Sequence, residues 1–153
     1  MNMRTTLLFI TLALGATLVP AADQADPESA AIRKTALDYI DGWYSGDAAR
    51  MEQALHPDLA KRIVNTDPKG GWSTLGQQSA MGLVLGTRAG GGKKPESQRQ
   101  EDVTILDRFQ NAAMVKIVAN DWVDYLQVAK FNGQWKIINV LWEMKSRPAE
   151  PSK

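Results

Sequence analysis

Lys130-Phe-Asn-Gly-Gln-Trp-Lys-Ile-Ile-Asn-Val-Leu-Trp142 is the stretch whose reading decides the fold. Asn132-Gly133 lies between two runs rich in β-branched and aromatic residues. These two residue types most readily supply the positive φ that a two-residue type I′ turn needs at both central positions. The stretch therefore reads as a hairpin in which Phe131 pairs with Gln134. Stepping outward pairs Lys130 with Trp135, Val128 with Ile137, Leu126 with Asn139 and Asp124 with Leu141. One face then carries Asp124, Leu126, Val128, Trp135, Ile137, Asn139 and Leu141; the other carries Val123, Tyr125, Ala129, Phe131, Ile138, Val140 and Trp142. Both faces are largely apolar, whereas a half-exposed sheet alternates cleanly. Helices are expected to cover the first face. A second subunit is expected over part of the other, where Tyr125, Phe131, Ile138 and Trp142 would otherwise form an exposed apolar patch, so a homodimer through the sheet follows.

Moving upstream, Val103-Thr-Ile-Leu106 and Ala112 to Ala119 add two strands, making four with the hairpin arms. Ala89-Gly-Gly-Gly-Lys-Lys-Pro95 reads as a mobile surface loop at the change from helices to strands. It is no phosphate loop, since Thr87 stands five before Gly92 and Lys94 follows Lys93 where Ser or Thr is needed. Before it, Trp72 to Thr87 reads as a weak third helix, because Gly76, Gly82 and Gly86 each cost about 1 kcal/mol relative to Ala. The first helix is clearer. Ile32, Ala36, Tyr39, Ile40 and Trp43 recur at three- and four-residue steps, with Leu37 and Tyr44 widening the stripe. Gly46 suits a left-handed stop, and Asp47 caps a short second helix that Pro57 ends. Leu59 to Val64 reads as a brief extended segment. Helices followed by antiparallel strands make an α+β domain.

Asp124 and Asn139 are the polar exceptions on the helix-covered face, where the register makes them diagonal neighbours. An uncompensated buried carboxylate loses several kcal/mol of hydration, so Asp124 must tie down a neighbouring element or open onto a wet cavity. His56, the only histidine, either bonds the last helix carbonyls or transfers protons near neutral pH. Tyr44 offers a hydroxyl to a ligand or is a core residue with a wet tip. Arg62 pairs with an anionic ligand or with a structural carboxylate. Asp124 and His56 are thus the candidate catalytic residues if the protein is an enzyme, and Tyr44, Trp43, Arg62, Asn139 and Leu126 the candidate ligand contacts. No cofactor is expected. One His and no Cys leave only carboxylates, which show no metal-ligand spacing such as a calcium loop, and no Gly-x-Ser-x-Gly nucleophile motif occurs.

At the amino end, Arg4 is followed by an uncharged run from Leu7 to Val19 and by Pro20-Ala21, the layout of a cleaved signal peptide. The run is shorter than the about 20 apolar residues of a membrane span. The expected organisation is a signal peptide over 1–21, a lead-in over 22–29, one domain over 30–144 and a flexible tail over 145–153. Cleavage after Ala21 would leave 132 residues, enough for one core and too few for two. It removes only Arg4 among charged residues, leaving 17 basic against 17 acidic side chains. That balance argues against nucleic acid or an anionic membrane surface as partner. The absence of cysteine excludes a lipid-modified cysteine anchor and disulfides, and the expected location is periplasmic or secreted.

The order of helices and strands, with the hairpin quoted above, resembles the nuclear transport factor 2-like superfamily, also called cystatin-like. Asp38-Tyr-Ile-Asp-Gly-Trp-Tyr-Ser-Gly-Asp47, Ala54-Leu-His-Pro-Asp-Leu-Ala-Lys-Arg62 and Asp124-Tyr-Leu resemble its branch named "putative lumazine-binding", related to the polyketide-cyclase-like proteins. The resemblance covers residues 30 to 144. It implies helices packed in the concave face of a curved antiparallel sheet, a cone-shaped fold with an internal pocket, commonly dimeric through the sheets. It also implies that Asp, His or Tyr inside the cone transfers protons in the enzymes of the superfamily, while other relatives only bind. Three classes follow in order of preference: an exported protein that binds a small molecule, a cofactor-free lyase or isomerase working by acid–base proton transfer, and a dimeric interaction module with a vestigial pocket.

Overall fold

The computed structural model describes residues 26–67 and 69–146. The signal peptide expected over 1–21, the first half of the lead-in and most of the tail lie outside the described residues. The chain runs α1 (Pro27–Ser45), α2 (Ala48–Ala54), β1 (Leu55–Thr66), β2 (Ser73–Ser79), α3 (Ala80–Arg88), a 3₁₀ turn (Glu96–Gln98), β3 (Glu101–Phe109), β4 (Ala112–Ala119), β5 (Trp122–Phe131) and β6 (Gln134–Met144).

Helix α1 starts where its chemistry says it should. Asp26 accepts from the Ser29 N–H at 3.2 Å, Pro27 occupies the first turn, and Gly46 closes the helix at φ 76°. Asp47 caps α2 through the Arg50 N–H at 3.0 Å. The α1 stripe of Ile32, Ala36, Tyr39, Ile40 and Tyr44 is buried against Val115, Ile117, Leu126, Val128, Ile137 and Val140 on one face of the sheet. A fully buried side chain of this kind contributes about 1.5–3 kcal/mol. At the other end of the core, Glu28 in the first turn of α1 accepts from Lys130 Nζ (2.7 Å) and Trp135 Nε1 (2.8 Å), tying the hairpin to the helix.

Six strands form one sheet in the order β2-β1-β6-β5-β4-β3. Two expectations are corrected here. The sheet is open, with β2 and β3 as its edges, and does not curl into a cone; it is also mixed, because β1 runs parallel to β6 while every other pair is antiparallel. The expected four strands become six because Leu55–Thr66 is a full strand and Ser73–Ser79 pairs with it, Ala60 opposite Ser79 and Thr66 opposite Ser73. The first half of the expected third helix is therefore strand. Its pairing partner and its glycine overrode a helical reading that carried little propensity.

The Asn132-Gly133 turn is as expected, with φ 48° and 80°, and Phe131 faces Gln134. Lys130–Trp135 and Val128–Ile137 also hold. Beyond them the register shifts: Gln127 pairs with Asn139, Leu126 with Val140 and Asp124 with Trp142. Ile138 is the extra residue of a β-bulge. Because side chains alternate with a period of two, one inserted residue exchanges the faces of everything after it. Val140 and Trp142 consequently point to the helix side, and Asn139 and Leu141 to the outside.

Candidate functional site

Asp124 is fully buried, and three donors converge on its carboxylate. Lys61 Nζ reaches Oδ1 at 2.8 Å, Trp122 Nε1 donates to Oδ2 at 2.7 Å, and the Tyr39 hydroxyl donates to Oδ2 at 3.3 Å. Lys61 Nζ also donates to the Tyr39 oxygen at 2.6 Å and stands 4.7 Å from the centre of the Trp142 ring. Four elements assemble this group. Tyr39 comes from the buried stripe of α1, Lys61 from β1, Trp122 and Asp124 from alternate positions of β5, and Trp142 from β6 beyond the bulge.

The electrostatics follow from burial. Lys61 is 6% exposed, and desolvation lowers its pKa below the ordinary lysine value, with the Asp124 charge and hydrogen bond opposing that shift. Tyr39 is held well above the ordinary phenol value, first by burial and then by the negative charge of Asp124, so its hydroxyl stays protonated.

Lys61 and Tyr39 open onto a cavity of about 430 Å³ between the second half of α1, the end of the sheet nearest Trp122 and Trp142, and the loop after α3. Its walls are aromatic and aliphatic: Trp43, Tyr44, Trp122, Trp142, Met51 and Leu83. The glycine loop expected to move freely is docked on α1. The Lys94 N–H donates to the Tyr44 carbonyl at 3.0 Å and the Gly91 N–H to the Gly86 carbonyl at 3.0 Å. Gly92 lies so close to Trp43 that a Cβ there would fall 1.9 Å from the indole Nε1. Only glycine fits that approach. Lys93, Lys94 and Asp121 also line the cavity, Lys93 and Asp121 at its exposed end.

Among the residues singled out from the sequence, Trp43 and Tyr44 line the cavity, and Asp124 lies behind it, reached through Lys61 and Tyr39. The Tyr44 oxygen accepts the Asn120 N–H at 3.0 Å. Leu126 is fully buried in the core. His56 is elsewhere: it accepts the Asp58 N–H at 3.2 Å and its ring lies 4.6 Å from that of Phe131. Arg62 and Asn139 do meet, at 3.4 Å, but on the outer face of the sheet, where Asn139 donates to Gln127. The expected Asp124–Asn139 neighbourhood is therefore corrected by the bulge at Ile138. Sequence reading missed Lys61, Tyr39, Trp122 and Trp142. A signal for Lys61 existed: in Leu59-Ala-Lys-Arg-Ile63 the lysine shares a strand face with Leu59 and Ile63, an apolar setting that calls for a buried counter-charge.

The chain matches the family described as "Putative lumazine-binding" over residues 27–143. It belongs to that family, within the nuclear transport factor 2-like, or cystatin-like, superfamily. Solved structures share the fold at low identity. An NTF2-like protein of unknown function from Shewanella baltica OS155 is 19% identical, with 78% of this chain and 95% of that chain covered at a TM-score of 0.63. A putative scytalone dehydratase from Novosphingobium aromaticivorans DSM 12444 is 13% identical (82% and 89% covered, TM-score 0.53). A ketosteroid isomerase-like protein from Erwinia carotovora atroseptica SCRI1043 is 12% identical (80% and 99% covered, TM-score 0.51). No curated protein matches the chain.

Proposed function

We propose that this protein is a cofactor-free lyase or isomerase that moves a proton on a small organic molecule bearing a carbonyl group. The observation that carries the reading is the Lys61–Asp124–Tyr39 group at the wall of an aromatic cavity. A protein that only held an apolar ligand would have no need to desolvate an amine and a phenol there, at a cost of several kcal/mol. The two structures of the same fold described as a putative scytalone dehydratase and a ketosteroid isomerase-like protein support the same class. In this reading Tyr39 turns its one hydroxyl proton from Asp124 to the oxygen that becomes an enolate, and Lys61, after passing a proton to Asp124 across their 2.8 Å contact, takes up and returns the proton of the substrate. Burial favours that transfer, since it exchanges a buried ion pair for two neutral groups. Asp124 touches no ligand; it holds Lys61 and Trp122 in place and keeps the proton that Lys61 gives up.

The test is hydrogen–deuterium exchange at the α-carbon of 2-tetralone, a bicyclic ketone with one aromatic ring, followed by nuclear magnetic resonance in heavy water. The protein is expected to accelerate exchange over buffer. Tyr39→Phe and Lys61→Met should each lower the rate at least tenfold, because positioned acid–base groups contribute about 10²–10⁴-fold. Tyr39→Phe keeps the ion pair and so keeps the fold. Exchange no faster than buffer, or an unchanged rate in a folded Tyr39→Phe variant, defeats the proposal. Binding of the ketone without exchange would return the protein to the class of small-molecule binders.

A further inference from the structure

The charges around the cavity are unevenly distributed. At the buried end Lys61 and Asp124 cancel one another at 2.8 Å. At the exposed end Lys93 and Lys94 face the single carboxylate of Asp121, which lies 3.7 Å from Lys94 and is itself 59% exposed. Among the described residues no carboxylate lies within 4.0 Å of Lys93. The mouth thus carries one uncompensated positive charge, and the interior none. Between the two ends stand Trp43, Trp122 and Trp142, whose faces suit a flat ring system. Trp43 is held against Gly92 and Gly91, so this wall is preformed.

We infer that the cavity takes a flat aromatic molecule carrying a carboxylate, with its rings between Trp43, Trp122 and Trp142 and its anionic group at Lys93 and Lys94. The inference rests on the proposed reading only in taking the same cavity as the ligand site. It adds the class of ligand and its orientation. The carboxylate belongs at the mouth because the one cation at the buried end, Lys61, is already paired with Asp124, and an anion there would lose its hydration without gaining a free counter-charge. A polar oxygen at the opposite end of the molecule would then reach Tyr39 and Lys61. Since the lysines sit at the water-exposed end, each adds a modest, salt-sensitive preference of up to about fivefold.

Calorimetric titration with 2-naphthoate and 2-naphthamide, which share ring and shape and differ in charge, tests the inference without turnover. At low salt the acid is expected to bind at least threefold more tightly than the amide. The gap should shrink in 0.5 M sodium chloride and close in Lys93→Gln/Lys94→Gln, while affinity for the amide stays as it was. In Lys61→Met the preference for the acid should persist, provided the variant melts cooperatively. Equal affinity for acid and amide, a preference retained in the double variant, or no binding of either probe at millimolar concentration would overturn it. Failure of the exchange assay alone would leave this result standing, so the two readings fail separately.

Discussion

A lysine and an aspartate buried together make the cost of losing either one large. Asp124 is 0% exposed and Lys61 6%, so Asp124→Asn leaves an ammonium in an apolar site with only neutral partners and no counter-charge. Removing one partner of a buried pair costs about 3–5 kcal/mol, whereas replacing both by apolar residues is often neutral. Urea denaturation should show that loss for Asp124→Asn and recovery of most of it in Lys61→Met/Asp124→Leu. A cost below about 1 kcal/mol for the single substitution would mean that Lys61 is not held as a buried charge. At this scale the sequence was partly legible. Asp124 stands out as a charge among apolar neighbours on a strand, but two of its partners, Lys61 and Tyr39, come from 63 and 85 positions away along the chain. No local pattern pairs such residues.

The loop after α3 shows what one missing side chain does to an element. Gly90 has φ 78° with open space where a Cβ would go, while the Cβ position of Gly92 falls inside the Trp43 indole. Gly90→Ala meets only backbone strain, about 1 kcal/mol. Gly92→Ala forces the loop off Trp43, an overpacking cost of about 1–3 kcal/mol, and opens the cavity wall. The expected signature is a lower melting temperature for both, with the near-ultraviolet circular dichroism of the tryptophans altered in Gly92→Ala alone. A Gly92→Ala protein that melts and looks like the parent would show that the loop is not docked on Trp43. Glycine repeats and two lysines gave this loop the composition of a mobile linker. Its docking depends on an indole from α1 that arrives through tertiary folding. The same holds for β2, whose polar residues become a strand because β1 lies beside them.

Across the whole molecule, the sheet face away from the helices exposes Val64, Leu75, Met114, Tyr125 and Leu141. Val64 and Leu75 pair across β1 and β2, and Leu141 lies opposite both Arg62 and Tyr125, so the patch runs over adjacent strands. Contiguous apolar surface of this kind mostly serves association. We therefore expect a homodimer through this face in sedimentation at micromolar concentration, and a monomer for Val64→Lys/Leu141→Lys. A parent protein that sediments as a monomer would remove the argument. The face was anticipated from the hairpin, though with different residues: Tyr125 belongs to it, Trp142 does not, and Leu141 replaces it. The error has one source, the bulge at Ile138, which reverses the last part of β6.

Local physical chemistry alone determined the caps and the buried stripe of α1, the Asp47 cap that starts α2, the Asn132-Gly133 turn and the α+β class. Each depends on residues within a few positions of one another, where steric limits and hydrogen-bond needs leave few solutions. Only the tertiary structure decided the open mixed sheet, the strand β2, the bulge that turns Trp142 inward, and the meeting of Tyr39, Lys61 and Asp124. These depend on which segments come to lie side by side. A one-residue change of register is nearly silent in composition, yet it moves a side chain from one face of the sheet to the other.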